Sequence, residues 1–214
     1  TDKGKVHWKK VYYLPEADSS ARGKAFVNLV SLEQGERIRA FIPIKEFRKD
    51  EYLLFVTEHG TVKKTSLEEY SRPRQGGIRA ISLEEGDDLV AVLKTGGKDQ
   101  VLIASAKGQA VKFSEEDVRD MGRAATGVRG IRLKAQDKVV GAVIAPEPTS
   151  LFTVTANGFG KRSAVSDYRL ISRGGSGVIN IICSERNGDV VDVQCVDEND
   201  GIMLSTKNGA VIVP

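Results

Sequence analysis

Arginine and lysine side chains recur in comparable segments of this 214-residue chain, where they could bind the phosphate groups of a polyanion. Contacts of this kind do not depend on base sequence, and they weaken as the salt concentration rises. The alternative interpretation is that these arginine and lysine side chains are ordinary solvated loop charges. The residues that we expect to contact phosphates are Lys63, Lys64, Arg72, Arg74, Arg79, Lys112, Arg123, Arg129, Lys161, Arg162 and Arg173.

The distribution of charge is more informative than its total, because 32 basic and 29 acidic residues leave a formal net charge of only +3. Acidic residues collect elsewhere in the chain, in "EEGDD" at residues 84–88 and in "DENDG" at residues 197–201. We therefore expect a basic stripe along one rim of the folded protein.

Catalytic chemistry finds no comparable support in the sequence. His7 and His59 stand apart, and Cys183 and Cys195 occupy apolar strand positions that are typical of small core residues. "RQGG" and "SRGGSG" look like phosphate-binding loops, but the lysine of a P-loop follows neither of them. We expect no catalytic residue, no metal site and no cofactor in this domain.

Features that would direct the chain to a membrane or out of the cell are also missing from the sequence. The first residues, "TDKGKVHWKK", contain no apolar stretch of a signal peptide. No apolar run approaches the roughly 18 residues of a membrane span, and two cysteines are too few for a disulfide framework. We expect a cytoplasmic location and no membrane partner.

Recurring glycines show that the basic segments belong to an array of one repeated unit. A turn glycine recurs about every 50 residues, and a second glycine follows each of the first four. The predicted units are residues 1–48, 49–97, 98–147, 148–197 and, as a partial fifth, 198–214. The turn glycines are Gly4, Gly60, Gly108, Gly158 and Gly209, and the second glycines are Gly23, Gly77, Gly127 and Gly177.

Each unit has the pattern of four short β-strands, which predicts an all-β fold of propeller-like blades. Asn157-Gly158 and Asn208-Gly209 predict two-residue hairpin turns in which both residues have a positive φ. Arg132 is out of phase with its apolar neighbours and should face solvent. Arg79 and Arg129 are in phase with the core, so they lie either at the rim or inside with partners. Whether the array closes into a ring is open.

Taken together, the phrases of the whole chain resemble the C-terminal domain of the DNA gyrase A subunit. The phrases that carry the resemblance are "GKVHWKKVYYLPEADSSARGKAFVNL", "GTVKKTSLEEYSRPRQGGIRAISL", "MGRAATGVRGIRL", "NGFGKRSAVSDYRLISRGGSGVINI" and "ERNGDVV". The resemblance implies a β-pinwheel whose neighbouring blades exchange strands. It also implies that double-stranded DNA wraps around the basic outer edge with positive handedness.

The same resemblance implies the larger assembly. The domain would be non-catalytic and would support ATP-dependent negative supercoiling, with ATP hydrolysed on the gyrase B subunit. Its partners would be double-stranded DNA, the rest of the A subunit and the B subunit in an A2B2 complex, in the bacterial cytoplasm and associated with the nucleoid.

Two departures from the family pattern keep alternatives open. The family normally has six blades, and its first blade carries a Gln-Arg-Arg-Gly-Gly-Lys-Gly-like heptad that this sequence lacks. "RPRQGGIR" at residues 72–79 lies at the corresponding loop of a later unit but does not match the heptad. We expect the first blade either to lie outside this chain or to have been lost. The alternatives are the related domain of the topoisomerase IV A subunit and a propeller-like scaffold for protein interactions.

Overall fold

The computed structural model describes residues 1–18, 20–206 and 211–212, and it consists of short strands joined by turns and 3₁₀ helices. None of the helices among these residues has the length and apolar character needed to cross a bilayer. The helices are η1 (Val11–Tyr13), η2 (Phe26–Asn28), η3 (Leu67–Tyr70), η4 (Glu115–Asp117) and η5 (Val165–Asp167). The strands are β1 (Lys5–Val6), β2 (Tyr52–Thr57), β3 (Thr61–Ser66), β4 (Ile78–Arg79), β5 (Leu89–Thr95), β6 (Gln100–Ser105), β7 (Gln109–Ser114), β8 (Val128–Arg129), β9 (Val139–Ile144), β10 (Ser150–Thr155), β11 (Gly160–Ala164), β12 (Val178–Ile179), β13 (Val190–Val196), β14 (Leu204–Ser205) and β15 (Val211–Ile212).

The strands form antiparallel sheets, which confirms the prediction of an all-β fold built from blades. Two sheets have four strands, in the orders β5-β2-β3-β8 and β9-β6-β7-β12. A third has the order β13-β10-β11, and two short pairs, β1-β4 and β14-β15, complete the described strands. Three apolar clusters form the core. One lies between the β1-β4 pair and the hairpin of β2 and β3, and the other two lie between successive sheets.

The outermost strand of each four-stranded sheet comes from the following unit. Strand β8 of the third unit pairs with β3 of the second, and β12 of the fourth unit pairs with β7 of the third. Strand β4 of the second unit pairs with β1 of the first. At the other edge, β5, β9 and β13 lie beside one another. We call the edge formed by β4, β8 and β12 the outer edge.

Close backbone approach at this strand exchange explains recurring glycines of both series, although a Cβ atom on Gly23 or Gly158 would meet nothing within 4 Å. The carbonyl oxygen of Gly108 accepts the N–H groups of Asn180 (2.8 Å) and Ile181 (3.2 Å). A Cβ atom on Gly108 would lie 2.0 Å from the Ile181 carbonyl oxygen, and one on Gly177 would lie 2.0 Å from the Ala110 carbonyl oxygen. Both distances are far too short, so only glycine fits at these two positions.

The turn at Asn157-Gly158 differs from the predicted two-residue form. Gly158 has a φ of +81°, but Gln136 is the single non-glycine residue with a positive φ among the described residues. The Gly158 N–H bonds the Thr155 carbonyl (3.0 Å), and the Thr155 N–H bonds the Phe159 carbonyl (2.8 Å). This is the wider hairpin turn in which one glycine in the left-handed region closes a type I turn. Asn208-Gly209 lies outside the described residues.

The first unit departs most from the expected four strands, because residues 7–18 and 20–51 contain 3₁₀ helices but no strand. In the second unit, the fourth strand β5 pairs with β2, the strand that precedes the turn glycine. Among the described strands, none pairs with the fourth segment of the first unit. Its apolar residues, including Ile42, Ile44 and Phe47, nevertheless pack against the first of the core clusters.

Ion pairs join the turn ends of neighbouring units. In the first and third units the turn supplies a lysine, and in the second unit it supplies a glutamate. Each is met by the opposite charge near the start of the fourth strand of the next unit. The three pairs are Lys3–Asp88 at 2.5 Å, Glu58–Lys138 at 2.7 Å and Lys107–Asp189 at 2.8 Å.

Candidate nucleic-acid interface

Three of the predicted phosphate ligands are lysines whose ammonium groups lie inside the molecule. Lys64 Nζ donates to the Glu115 carbonyl oxygen at 2.9 Å, and Lys112 Nζ donates to the Val165 carbonyl oxygen at 3.0 Å. Glu115 and Val165 are the first residues of η4 and η5, so the two bonds are equivalent. Each bond joins a lysine of one unit to the backbone of the next.

Lys63 is the most deeply buried of the three, with no exposed surface. Its ammonium group donates to the carbonyl oxygens of Ala80 and Arg123. Burial and, to a smaller extent, the nearby positive charge of Arg123 lower the pKa of Lys63 to about 8. The side chain therefore sits at the contact between the second and third units rather than on a surface.

The burial of Lys63, Lys64 and Lys112 and their internal partners argue against contact with phosphates, which stays an untested prediction. Strands β3 and β7 lie between other strands of their sheets, and neighbouring sheets cover both of their faces. Alternate residues on such a strand are buried on either face, so neither parity leads to solvent. A lysine at the fourth position after the turn glycine, in both units, is the sequence signal that could have identified these inter-unit bonds.

Lys161 and Arg162 occupy the corresponding positions of β11, and both are exposed. In the described part of the chain no exchanged strand pairs with β11, which leaves these side chains uncovered. They lie on β11, which is the edge strand of its own sheet, and not on one of the exchanged strands β4, β8 and β12. Their contact with phosphate stays a prediction.

Arg79 on β4 and Arg129 on β8 are exposed at the outer edge, which decides between the two placements that the sequence left open. The N–H groups of Ala80 and Ile81 both bond the Gly4 carbonyl, at 2.7 and 3.3 Å. Two successive N–H groups on one acceptor break the alternation of the strand, so Arg79 points outwards although Ile81 is buried. Arg132 is exposed, as its phase predicts.

The loops after η4 and η5 bring further arginines to this edge. Gly174, in the loop after η5, donates its N–H to the Gly130 carbonyl at 2.6 Å, and Arg132 donates its N–H to the Gly175 carbonyl at 2.9 Å. One unit earlier, the Ser82 hydroxyl donates to the Ala124 carbonyl at 2.7 Å. Each loop therefore lies over the outer strand of the preceding unit, with Arg123 beside the Arg79 segment and Arg173 beside the Arg129 segment.

The surroundings of the two loop arginines differ. Arg173 Nε donates to the Asp117 carbonyl at 2.8 Å and Arg173 Nη1 to the Arg129 carbonyl at 3.2 Å, so backbone oxygens fix this guanidinium group. Arg123 Nε lies 3.9 Å from a carboxylate oxygen of Glu69, at the limit of an ion pair. Both side chains are partly exposed.

Arg72 and Arg74 lie in the loop that follows η3, and both are exposed. Arg74 lines a cleft with His7 and Trp8, at the contact between the first and second units. Of the eleven predicted ligands, the structure thus places Arg72, Arg74, Arg79, Arg123, Arg129 and Arg173 where unit contacts meet solvent.

Groups that could support catalysis or metal binding are not brought together. Among the described residues, no cluster of three His, Cys, Asp or Glu side chains could hold a metal ion. Burial raises the pKa of the Cys183 and Cys195 thiols, which disfavours the reactive thiolate.

Comparison with known proteins agrees with this architecture. A family model described as "DNA gyrase C-terminal domain, beta-propeller" matches residues 51–95, 99–146 and 149–197. The chain belongs to this DNA gyrase C-terminal domain family. Each matched segment begins shortly before a central hairpin and ends at or just after the fourth strand of the same unit.

Curated relatives of this gyrase C-terminal domain are DNA gyrase A subunits. The chain is 48% identical to the subunit of Salmonella typhimurium over 212 residues, which cover 99% of the chain and 24% of the relative. It is 47% identical to the subunit of Escherichia coli K12, with the same coverage. The chain thus spans about a quarter of the length of these relatives.

Solved structures of related domains share the fold of the whole described chain. The C-terminal domain of a DNA topoisomerase IV matches with a TM-score of 0.90 at 27% identity, covering 100% of this chain and 67% of that one. A DNA gyrase A C-terminal domain matches with a TM-score of 0.86 at 27% identity, covering 99% of this chain and 69% of that one.

Proposed function

We propose that this domain binds double-stranded DNA without reading its sequence and wraps it around the outer edge of the blades. The observation that carries the proposal is the exposure of Arg79 and Arg129 at the same position of successive outer strands. Arginines of the following loops lie next to them. Guanidinium groups repeated at one level of an array suit the regularly spaced phosphates of a duplex.

Wrapping requires contacts that are spread over several units. Bending a stiff duplex by 40–90° over a 20–30 bp site costs on the order of 1–6 kcal/mol, which phosphate contacts along the path must offset. One unit offers too few arginines for this, whereas a row across three units distributes the bend. No aromatic or amide-rich recognition element for bases is needed for such binding.

The wider role follows from the family. We propose that the domain is the non-catalytic, DNA-wrapping part of a gyrase A subunit in a bacterial cytoplasm, close to the nucleoid. Its partners are then the rest of that subunit and a B subunit, in an A2B2 enzyme that couples ATP hydrolysis to negative supercoiling.

A second candidate is the corresponding domain of a topoisomerase IV A subunit. The TM-score of 0.90 to such a domain favours it. The identity of 48% to a gyrase A subunit, against 27% to that topoisomerase IV domain, favours gyrase.

Ligation of nicked plasmid in the presence of the protein tests wrapping directly. We expect a positive change in linking number that grows with the amount of protein, because a positively handed wrap is trapped when the nick is sealed. A variant with Arg79→Glu and Arg129→Glu should abolish the change. A matched variant with Lys98→Glu and Lys134→Glu, two exposed lysines away from the outer strands, should retain it.

The outcomes separate the candidates. Tight, salt-dependent binding without any change in linking number would overturn wrapping while leaving DNA binding in place. Absence of binding at low salt would instead support the scaffold for protein interactions.

The loop after η3 can be tested by reversing Arg72 and Arg74 to glutamate. Affinity for duplexes of unrelated sequence should fall to a similar extent for each, and the unfolding transition should be unchanged because both side chains are exposed. Filter binding at two salt concentrations measures the affinity, and thermal unfolding measures the stability. Unchanged affinity would mean that this loop faces away from the DNA.

A further inference from the structure

The contact between the third and fourth units places two arginines of different origin side by side. Arg129 belongs to the outer strand β8, and Arg173 belongs to the loop after η5 of the next unit. A Cβ atom on Gly174 would lie 3.8 Å from Arg129 Cγ and 3.9 Å from Arg129 Cβ. The stem of Arg129 therefore rests on the residue that follows Arg173.

The position of the Arg173 guanidinium group is set by the protein before any ligand binds. Arg173 is held by the carbonyl oxygens of Asp117 (2.8 Å) and Arg129 (3.2 Å), which leave other N–H groups of its guanidinium to face outwards. The Asp117 carboxylate accepts the backbone N–H of Arg173 at 3.3 Å. Within the described residues, no carboxylate lies within 4.0 Å of the charged nitrogens of Arg129 or Arg173.

Two neighbouring cations without an acidic partner favour an anion that both can reach. We propose that Arg129 and Arg173 together bind one phosphate diester of the DNA backbone, at a site that exists only where the two units are docked. This inference rests on the proposed DNA binding and assigns to it a specific site. A planar guanidinium group offers parallel N–H donors to phosphate oxygens, and two such groups can hold one phosphate from two sides.

The contact between the second and third units also places two arginines together, with one difference. Arg79 on β4 is exposed, and Arg123 of the next unit lies beside its segment, but Glu69 competes for Arg123 at 3.9 Å. The site at Arg129 and Arg173 is therefore the stronger of the two. Each phosphate-binding site is therefore formed by two neighbouring units rather than by one unit.

The test is a salt titration of duplex affinity with Arg129→Gln, Arg173→Gln and the double variant, and with Lys98→Gln as the matched control. One phosphate contact contributes about −0.9 to the slope of log K against log salt. If both arginines hold the same phosphate, the double variant should lose about 0.9 of that slope. Each single variant should lose much less, because the remaining arginine still neutralises the phosphate. Lys98→Gln should leave the slope unchanged.

A loss of about 1.8 in the double variant would mean two separate phosphates and would overturn the shared site. An unchanged slope in all three variants would overturn the shared site as well. If the parent chain nevertheless binds DNA, the proposed function still stands. If the parent chain itself fails to bind at low salt, the proposed function fails and the site fails with it. Since Arg173→Gln removes two bonds to backbone oxygens, thermal unfolding checks that this variant and the double variant are folded.

Discussion

Residue scale. The lysines of β3 and β7 show that a basic residue in a repeated segment can serve the protein rather than a ligand. Lys64 and Lys112 each bond a carbonyl oxygen of the next unit at 2.9 and 3.0 Å, and both side chains are almost fully buried. A buried ammonium group is tolerated only when such acceptors surround it. Its contribution is therefore to docking between units.

Truncation of Lys112 to alanine should lower the free energy of unfolding by about 2–4 kcal/mol, because it removes a buried side chain and its charged hydrogen bonds. Chemical denaturation measures the loss. Lys98→Ala, at an exposed position, should change stability by less than about 0.5 kcal/mol. Weaker DNA binding by Lys112→Ala with unchanged stability would show that Lys112 contacts DNA after all.

Lys63 should make stability rise with pH in the alkaline range. Burial lowers its pKa to about 8 in the folded chain, while the ordinary value of 10.5 applies when the chain is unfolded. Between these values the unfolded chain binds more protons, so the cost of burying the charge is fully present below pH 8 and disappears towards pH 10.5.

The expected gain, relative to a Lys63→Met variant in which the titrating group is gone, is about 2 kcal/mol between pH 8 and pH 10. Denaturant titrations of both proteins at each pH measure the difference, and common contributions from tyrosines cancel. A difference that stays constant with pH would contradict the lowered pKa.

Element scale. Each sheet is completed by a strand of the following unit, so the turn glycines support a contact between units as well as a hairpin. Gly108 and Gly158 occupy the same position in the third and fourth units, and both have a φ of +81°. The exchanged segment crosses Gly108, whereas nothing lies within 4 Å of a Cβ atom placed on Gly158. The pair therefore separates the cost of backbone conformation from the cost of the close approach.

Gly158→Ala should cost about 1–2 kcal/mol, the price of a left-handed conformation at an L-residue. Gly108→Ala should cost at least about 2 kcal/mol more, because its Cβ would lie 2.0 Å from the Ile181 carbonyl oxygen and displace β12. Denaturation of both variants under the same conditions gives the comparison. Equal losses would show that the exchanged strand shifts without cost.

The arrangement of the hairpins could be predicted from the sequence. The spacing of Gly60, Gly108 and Gly158 reflects local turn geometry, so it placed the hairpins β2–β3, β6–β7 and β10–β11. The pairing of β8 with β3 depends on contacts far apart in the chain, and no local pattern contains that information. Burial of Lys63 has the same origin, since it depends on neighbouring sheets. The exposure of Arg79 was left open because two N–H groups share the Gly4 carbonyl, which strand periodicity does not reveal.

Whole-molecule scale. The row of exposed arginines on the outer strands has an end within the described chain. Arg79 on β4 and Arg129 on β8 are followed at the same position of β12 by Ile179, which is 66% exposed. An apolar side chain cannot bind a phosphate, so the proposed DNA path loses an anchor at the fourth unit. We therefore expect the duplex to be held more strongly over the second and third units than over the fourth.

Replacing Ile179 by arginine should extend the row. The slope of log K against log salt should become steeper by about 0.9, as expected for one additional phosphate contact. Val191→Arg is a suitable control, because Val191 is 50% exposed and lies on β13, at the edge opposite the outer strands. An equal gain from both substitutions, or none from Ile179→Arg, would mean that the DNA does not follow the outer edge as far as β12.

The ion pairs between units, Lys3–Asp88, Glu58–Lys138 and Lys107–Asp189, alternate in sign along the chain. Exposed pairs of this kind add little stability, but they discriminate between correct and incorrect neighbours. If the first unit docked on the third, Lys3 would face Lys138, and if the second docked on the fourth, Glu58 would face Asp189. Docking of similar modules that are not neighbours in the chain is a characteristic misfolding hazard of repeat proteins. We therefore expect the alternation to disfavour docking between units that are not neighbours in the chain.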